Sequence, residues 1–166
     1  LDPPINGAAS GVASSEFSDN GGAFQIYVSS LALIEGAHAL SYLSQDNVGN
    51  LEPLRSTNVL VDQTPPVTEA HVGGTTYTAA DGTLYISSAG SVAFTAADPV
   101  LANSGTAGSG VGSIEVSLDG AAFAPYSAAL TFAEGRHVVL YRAVDNVGNV
   151  EAVRYRPTSR AVLRHS

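Results

Sequence analysis

The sequence repeats itself once, in tandem. Residues 10–52 align with residues 109–151 without a gap, and 21 of the 43 aligned positions are identical. Both copies contain the sequences Glu-Gly-x-His and Asp-Asn-Val-Gly-Asn at equivalent places. Tandem copies of a unit of about 99 residues indicate an array of small domains, and such arrays serve length, reach or multivalent binding.

Apolar and polar residues alternate within the copies, for example at 113–118 and 137–144. This period of two is typical of β-strands. Asn-Gly and Asp-Gly turns separate the runs, and no window shows the 3.6-residue apolar period of a capped helix. The pattern therefore predicts an all-β chain of two-sheet sandwiches. In the second copy it predicts strands at 67–72, 76–79, 83–87, 91–97, 113–118, 128–132, 136–145 and 149–155.

Four segments resemble a known family. The sequences SGVGSIEVSLDG, FAPY and EGRHVVLYRAVDNVGN, preceded by DQTPPVT, are similar to the Ig-like or fibronectin type III-like tandem repeats of bacterial extracellular proteins. The resemblance covers nearly all of 62–155 and the later two thirds of a copy at 10–61. It implies tandem Ig-like β-sandwiches in a secreted or cell-surface protein, used as a non-catalytic spacer, stalk or adhesive segment. Fold alone does not establish that role.

The two copies differ at their starts. About 37 residues, 62–99, lie ahead of the point in the second copy that corresponds to the start of the first, and they encode its opening strands. The first copy has only nine residues before Ser10. We therefore expect an incomplete Ig-like unit at 1–61, a complete sandwich at 62–156 and a C-terminal extension at 157–166. Without opening strands, the first unit would expose the apolar residues of one sheet face. These residues are Phe17, Leu31, Leu33, Leu40 and Tyr42.

Three explanations for the missing strands stay open. The chain is a fragment of a longer array, or the first unit closes itself with residues 1–9, or another chain supplies the strands by β-augmentation. A candidate donor is the partly alternating segment 153–163. Its interface residues would be Arg154, Tyr155, Arg156, Arg160, Val162 and Leu163.

Donation from one molecule to the next predicts a head-to-tail homopolymer, because such a contact repeats without closing on itself. The function that we predict is therefore a non-catalytic extracellular structural subunit of a fibre. The alternative is a spacer, or a carbohydrate- or protein-binding module, excised from a larger bacterial surface protein or secreted enzyme.

Charge is distributed unevenly along the chain. Residues 1–135 hold thirteen acids and one Arg, whereas residues 136–166 hold two acids and six Arg. An edge strand kept soluble by Arg accounts for this distribution, and complementary ends for head-to-tail association are the alternative. The net charge of −8 argues against a nucleic-acid partner. No apolar run approaches the roughly 18 residues of a membrane span, so no membrane insertion is expected.

Residue types exclude several chemistries. The chain has no Cys and no Lys, which excludes disulfides, thiol nucleophiles, Cys-ligated zinc and Lys Schiff bases. It has no GxSxG elbow and no GxGxxG loop. Several acids recur at equivalent positions of both copies, which indicates architecture and not a glycosidase pair. We expect neither an enzyme nor a cofactor.

Three sets of side chains suggest other roles. Asp98 and Asp145 are candidates for a calcium ion, although an Asx-bonded hairpin turn accounts for the pentad without one. His38 and His137 recur at equivalent places, which indicates a packing or turn role. The unrepeated tyrosines are candidates for a carbohydrate platform, in a chain that lacks Trp. They are Tyr77, Tyr85 and Tyr155.

Overall fold

A computed structural model of the chain describes residues 9–102 and 104–160. Every regular element in these ranges is a β-strand, which confirms the all-β prediction. No helix in the described part of the chain has the length and apolar character needed to cross a membrane. The strands are β1 (Val12–Asp19), β2 (Gln25–Ile26), β3 (Gly36–Asp46), β4 (Arg55–Val61), β5 (Val67–Gly73), β6 (Thr76–Thr78), β7 (Leu84–Ile86), β8 (Ser91–Ala97), β9 (Val111–Leu118), β10 (Ala124–Pro125), β11 (Gly135–Asp145) and β12 (Arg154–Arg160).

The chain divides into two compact units. Unit 1 comprises Leu1–Asp62 and Leu101–Thr106, and unit 2 comprises Gln63–Val100 and Ala107–Ser166. The repeat placed the division after residue 61, and it gave no indication that residues 101–106 group with unit 1.

Unit 2 contains two sheets. The larger has six strands in the order β10-β9-β11-β12-β7-β6, and the smaller is the antiparallel pair β5-β8. Only the β12–β7 pair in the larger sheet is parallel. The alternating apolar residues of both sheets meet in one core, as expected of an Ig-like sandwich. The buried core residues are Ile86, Val92, Phe94, Phe132, Val139 and Tyr141.

Unit 1 contains one antiparallel sheet in the order β2-β1-β3-β4, which repeats the order β10-β9-β11-β12 of unit 2. The described part of unit 1 has no second sheet. Among its described residues, Leu101 is the one large apolar side chain that is buried. The loop that carries Leu101 lies beside the start of β3, because a Cβ on Gly36 would stand 3.3 Å from the Ala102 carbonyl oxygen.

The turn after β1 follows the sequence prediction. Asn20 has a φ of +50° and Gly21 a φ of +73°, the left-handed backbone that Asn-Gly supplies in tight turns. Asp119 and Gly120 repeat this backbone in unit 2, with φ of +52° and +81°. The equivalent turns explain why β1 and β9 end at equivalent places.

Two strand predictions for unit 2 were wrong. Residues 128–132 form no strand, although Leu130 makes an isolated bridge with Val92, and the described strand in this region is β10. The last strand begins at Arg154 instead of 149, because the turn at 145–149 and the buried Glu151 come first. The extension predicted at 157–166 also needs correction. Residues 157–160 belong to β12, where Pro157 stands opposite Val138 and Arg160 opposite Gly135.

Candidate strand-acceptor site

One face of the unit 1 sheet carries an apolar groove of about 240 Å³, which we call the unit 1 groove. Its walls are formed by β1, β3 and the segment between β2 and β3. The lining residues are Ser15, Glu16, Phe17, Tyr27, Leu31, Leu40, Tyr42, Leu43 and Ser44. Four of the five residues that the sequence predicted for an exposed face are among them. The fifth, Leu33, is half-buried and lies outside the lining.

Strand register brings these side chains together. Phe17 on β1 stands directly opposite Tyr42 on β3, and Ser15 stands opposite Ser44. Side chains two residues apart on a strand share a face, so Leu40 lies beside Tyr42 on the same side. The groove is thus a direct result of the alternating pattern on two neighbouring strands.

In unit 2, the equivalents of the groove tyrosines hold a phenylalanine. The Phe94 ring lies 4.7 Å from the ring of Tyr141 and 5.2 Å, edge to face, from the ring of Tyr126. The Phe94 N–H also donates a hydrogen bond of 3.1 Å to the Tyr126 hydroxyl. Tyr141 is consequently only 7% exposed.

In unit 1, no phenylalanine of the described residues occupies the equivalent place. Tyr42, the counterpart of Tyr141, is 40% exposed, and Tyr27, the counterpart of Tyr126, is 48% exposed. We call the space between these two rings the aromatic slot. The repeat pairs Tyr27 with Tyr126, but no local pattern assigns Tyr27 to the face.

A second difference concerns one carboxylate. Glu151 of unit 2 is buried and accepts hydrogen bonds from the Thr68 N–H (3.0 Å), the Thr68 hydroxyl (2.5 Å) and the Ala143 N–H (3.1 Å). It also pairs with Arg154 Nε at 2.5 Å. Glu151 therefore fastens β5 of the smaller sheet to β11 of the larger one.

The counterpart of Glu151 in unit 1 is Glu52. Its described partner is Arg55, whose Nε lies 3.4 Å away, and its side chain is 30% exposed. In the described part of unit 1 no counterpart of Thr68 reaches it. Sequence reasoning missed Glu52, although the repeat aligns it with Glu151 at the last matched position.

The third difference is a strand edge. In unit 2, β7 pairs in parallel with β12, so that Leu84 stands opposite Thr158 and Ile86 opposite Arg160. In unit 1, β4 is the counterpart of β12, and no described strand of unit 1 pairs with its outer edge. A strand edge with unpaired backbone groups is a template for β-augmentation.

The groove is less apolar than the equivalent face of unit 2. Ser15 and Ser44 stand where unit 2 has Ile114 and Ala143, and their hydroxyls share a hydrogen bond of 2.8 Å. One hydroxyl donates to the other, so each oxygen has one hydrogen-bond partner whether this end of the groove is wet or covered.

The residues of the predicted donor segment are already part of unit 2. Arg154, Tyr155 and Arg156 lie in β12, between β11 on one side and β7 on the other. Tyr155 is 54% exposed. The backbone of Arg160 ends the same strand. Val162 and Leu163 lie outside the described residues. Donation by β12 would require it to leave its own sheet.

The two Asp-Asn-Val-Gly-Asn pentads form Asx-bonded turns. Asp46 Oδ1 accepts hydrogen bonds from the N–H groups of Val48 (3.0 Å) and Asn50 (2.8 Å). Asp145 Oδ1 similarly accepts bonds from the N–H groups of Val147, Gly148 and Asn149. Burial by itself would raise the pKa of the Asp145 carboxyl, but the bonds from Asn149, Val147 and Gly148 hold this pKa below its usual value.

The predicted calcium ligands come close together. A carboxylate oxygen of Asp98 lies within 4.8 Å of one of Asp145. Asp98 Oδ2 accepts a bond of 2.6 Å from the Gly110 N–H, and its Oδ1 is buried without a hydrogen-bond partner. Since the turn already uses the Asp145 carboxylate, calcium binding stays a prediction, which a chelator-dependent melting temperature would test.

His38 and His137 fasten equivalent turns. In each, Nδ1 contacts an aspartate oxygen at 2.7 Å, from Asp19 in unit 1 and Asp119 in unit 2. Nε2 contacts the carbonyl oxygen of the residue four positions earlier, at 2.9 Å for His38 and 3.1 Å for His137. The Ile34 carbonyl and Asp19 raise the pKa of His38, and Asp119 with the Ala133 carbonyl raises the pKa of His137.

Two of the three candidate sugar-binding tyrosines lie side by side. Tyr77 on β6 stands directly opposite Tyr85 on β7, with ring centroids 6.1 Å apart, and Tyr77 is 67% exposed. Tyr155 lies on β12, in the same sheet but not in this pair. Carbohydrate binding by these residues stays a prediction.

Comparison with known proteins does not identify a family for the chain. No protein-family model matches the chain, and no curated protein matches it. Among solved structures it is similar to the fibronectin(III)-like modules of CbhA from Clostridium thermocellum. That match has a TM-score of 0.42 and 15% sequence identity, and it covers 96% of this chain and 84% of the other. A likeness at this identity carries nothing about ligands or partners.

Proposed function

We propose that the chain is a non-catalytic structural protein of the cell surface or the extracellular space, whose copies join when a strand segment completes the open sheet of unit 1. One observation carries this proposal. The same sheet occurs twice, and its central tyrosine is 7% exposed in unit 2 but 40% exposed in unit 1. Apolar grooves and open strand edges at one site are features of strand-acceptor surfaces.

Head-to-tail polymerisation is the form of assembly that we propose, because one acceptor and one donor at different places of each copy generate an open filament. The pairing of β12 with both β11 and β7 speaks against an unaltered β12 as the donor. A donor from another copy therefore has to leave its own unit 2, as in domain swapping, and this holds for β12 and for β5 to β8 alike.

Light scattering of the full chain across micromolar concentrations tests assembly, with negative-stain electron microscopy of the same samples. We expect the mean mass to rise with concentration and fibres to appear. Leu40→Asp places a charge in the groove and should hold the chain monomeric. Val48→Asp is the matched control, since Val48 is 72% exposed at a turn and does not line the groove. A compact monomer at all concentrations would refute the proposal, and so would equal assembly of both variants.

A second candidate function is a spacer repeat with a carbohydrate-binding surface, and the Tyr77–Tyr85 pair is the observation that favours it. The exposed ring of Tyr77, beside the half-buried ring of Tyr85, offers an apolar face on which a sugar ring can pack. Electrophoresis in gels that contain soluble polysaccharides tests it. Retardation that is lost in Tyr77→Ala would support this function, and unretarded migration across a broad panel would exclude it.

A further inference from the structure

We infer that the open sheet of unit 1 accepts a partner segment with the chemistry of residues 63–99 of this same chain, which we call the opening segment. The inference rests on the proposed function, because it takes the unit 1 face to be an assembly site, and it specifies what fills that site. The opening segment contains β5 to β8 and covers the equivalent sheet of unit 2. Unit 2 thus serves as the filled form of the unit 1 site.

The aromatic slot is the first of three recognition points. Phe94 of the opening segment packs between Tyr126 and Tyr141, and its N–H donates to the Tyr126 hydroxyl. Both tyrosines are identical in unit 1, as Tyr27 and Tyr42. A partner phenylalanine on an extended strand would therefore find the same two rings and the same hydroxyl acceptor in unit 1.

Glu52 is the second recognition point. In unit 2, the equivalent carboxylate takes the N–H and the hydroxyl of Thr68, a residue of β5. β5 and β8 hold Thr68 and Phe94 in fixed register, since Thr68 stands opposite Ala96 and Ala70 opposite Phe94. A partner that places its phenylalanine in the slot therefore brings its threonine toward Glu52. β3 and β11 are both eleven residues long, so the receiving sheet has the same spacing.

The outer edge of β4 is the third recognition point. β7 of the opening segment pairs with β12 along Thr158, Ser159 and Arg160. The repeat aligns these three residues with Val59, Leu60 and Val61 on β4. The same partner can thus add a parallel strand to β4 while its other strands cover the face.

Other occupants satisfy fewer of these points. A second unit 1 face offers, among its described residues, no β5-like strand from which a threonine could donate to Glu52. A β12 strand from a second copy contains no phenylalanine for the slot, and Pro157 lacks an N–H for strand pairing. An isolated sugar or peptide side chain would fill the slot and leave the β4 edge unpaired.

The test uses the full chain and a synthetic peptide of residues 63–99. Isothermal titration calorimetry measures the affinity, and NMR of the labelled chain shows which tyrosines the peptide perturbs. We expect saturable binding that shifts the signals of Tyr27 and Tyr42. The Phe94→Ala peptide should bind at least about 100-fold more weakly, because a central buried aromatic anchor is lost. The Thr68→Val peptide should bind about tenfold more weakly, and Glu52→Gln in the chain should remove that difference.

Val67→Ala in the peptide is the matched control, because Val67 is 42% exposed on β5, and its affinity should stay within about twofold. Absence of binding at millimolar peptide overturns the inference, and so does binding that perturbs only Tyr126 and Tyr141 by displacing the native segment. A chain that polymerises but does not bind the peptide refutes this inference and leaves the proposed function intact. A monomeric chain that binds the peptide supports the inference and refutes the homopolymer.

Discussion

The sheets β2-β1-β3-β4 and β10-β9-β11-β12 have the same strand order and nearly equal strand lengths, but only the second is part of a core. Val139 is fully buried, whereas its counterpart Leu40 is half-buried at the wall of a groove. The difference teaches that strand order and turns are encoded within the aligned 43 residues. Burial of the same face depends on β5 to β8, which lie between residues 67 and 97, outside the aligned region.

Unit 1 also differs from unit 2 in chemistry. Serines at positions 15 and 44 replace Ile114 and Ala143, and Asp19 replaces Leu118. Each replacement lowers the apolar area that an uncovered face presents to water. Leu31, Leu40 and Tyr42 nevertheless keep the centre of the face apolar. The unit 1 face is thus polar at its margins and apolar at the place where Phe94 packs in unit 2.

The largest expected effect comes from removing the difference between the units. A fusion protein that carries a second copy of residues 63–108 directly before Ser10 supplies unit 1 with an opening segment. Covering several groove side chains should stabilise unit 1 by roughly 5–10 kcal/mol. Denaturant unfolding with tyrosine fluorescence measures this, and a fusion with Phe94→Ala in the added copy is the control. An unchanged unit 1 transition would contradict the equivalence of the two faces.

Removing the anchor of unit 2 should have the next largest effect. Phe94→Ala leaves a cavity beside Tyr126 and Tyr141 and should lower the free energy of unfolding of unit 2 by about 3–5 kcal/mol. Phe24→Ala is the control in unit 1, where Phe24 is 44% exposed, and should change stability by less than about 1 kcal/mol. Chemical denaturation of both variants checks the contrast, which equal losses would contradict.

The paired glutamates offer a smaller and more specific comparison. Glu151→Gln turns an amide N–H₂ toward groups that also donate, so the free energy of unfolding of unit 2 should fall by about 2–3 kcal/mol. Glu52→Gln should lower the free energy of unfolding of unit 1 by less than about 0.5 kcal/mol, because Glu52 is partly exposed. Burial by itself would raise the pKa of Glu151, but hydrogen bonds from Thr68, Arg154 and Ala143 lower it. The Glu151 contribution is therefore present above the unfolded-state pKa and is lost as the pH falls through the folded-state pKa.

Thermal unfolding of both variants between pH 3 and pH 7 measures this contribution. The wild type should lose stability on acidification more steeply than Glu151→Gln. Parallel curves for the two proteins would show that Glu151 is not the group responsible.

The smallest expected effect is a weak loss of stability in mildly alkaline solution. The folded-state pKa values of His38 and His137 are raised above the ordinary value of about 6.5. The histidine contribution is thus complete below about pH 6.5 and is lost as the pH rises through the folded-state values. NMR titration of the imidazole protons measures the folded-state pKa values of both histidines. Asp119→Asn should lower the pKa of His137 and leave that of His38 unchanged, and equal shifts of both would contradict this assignment.

Several features of the fold were predictable because their causes are local. Alternation marked β8, β9 and β11, and the Asn20-Gly21 and Asp119-Gly120 turns follow from residues that adopt positive φ. Prediction failed where apolar residues enter the core from irregular backbone. Leu130 and Phe132 alternate as strand residues do, but the described β-pairing of this segment is an isolated bridge between Leu130 and Val92.

Part of the candidate site was predictable too. The two-residue period and the repeat identified Phe17, Leu31, Leu40 and Tyr42. Each of them aligns with an apolar or aromatic residue that packs in or against the core of unit 2. Tyr27 and Glu52 were missed, since their roles depend on Phe94 and Thr68, which lie in a different part of the repeat. The pairing of β12 with β7 was also missed, because a parallel contact between residues more than 70 positions apart leaves no local pattern.

From the amino-acid sequence alone it follows that the chain is built of strands, that it contains one sheet-forming segment twice, and that residues 62–99 encode the opening strands of the second copy. Local backbone preferences and side-chain alternation are sufficient for these features. Three features became visible in the folded molecule alone: β12 is paired on both edges, residues 101–106 join unit 1, and Tyr27 and Tyr42 both line the unit 1 groove. These features arise from contacts between residues distant in the chain, whose free energy depends on which surfaces meet and not on which residues are neighbours in sequence.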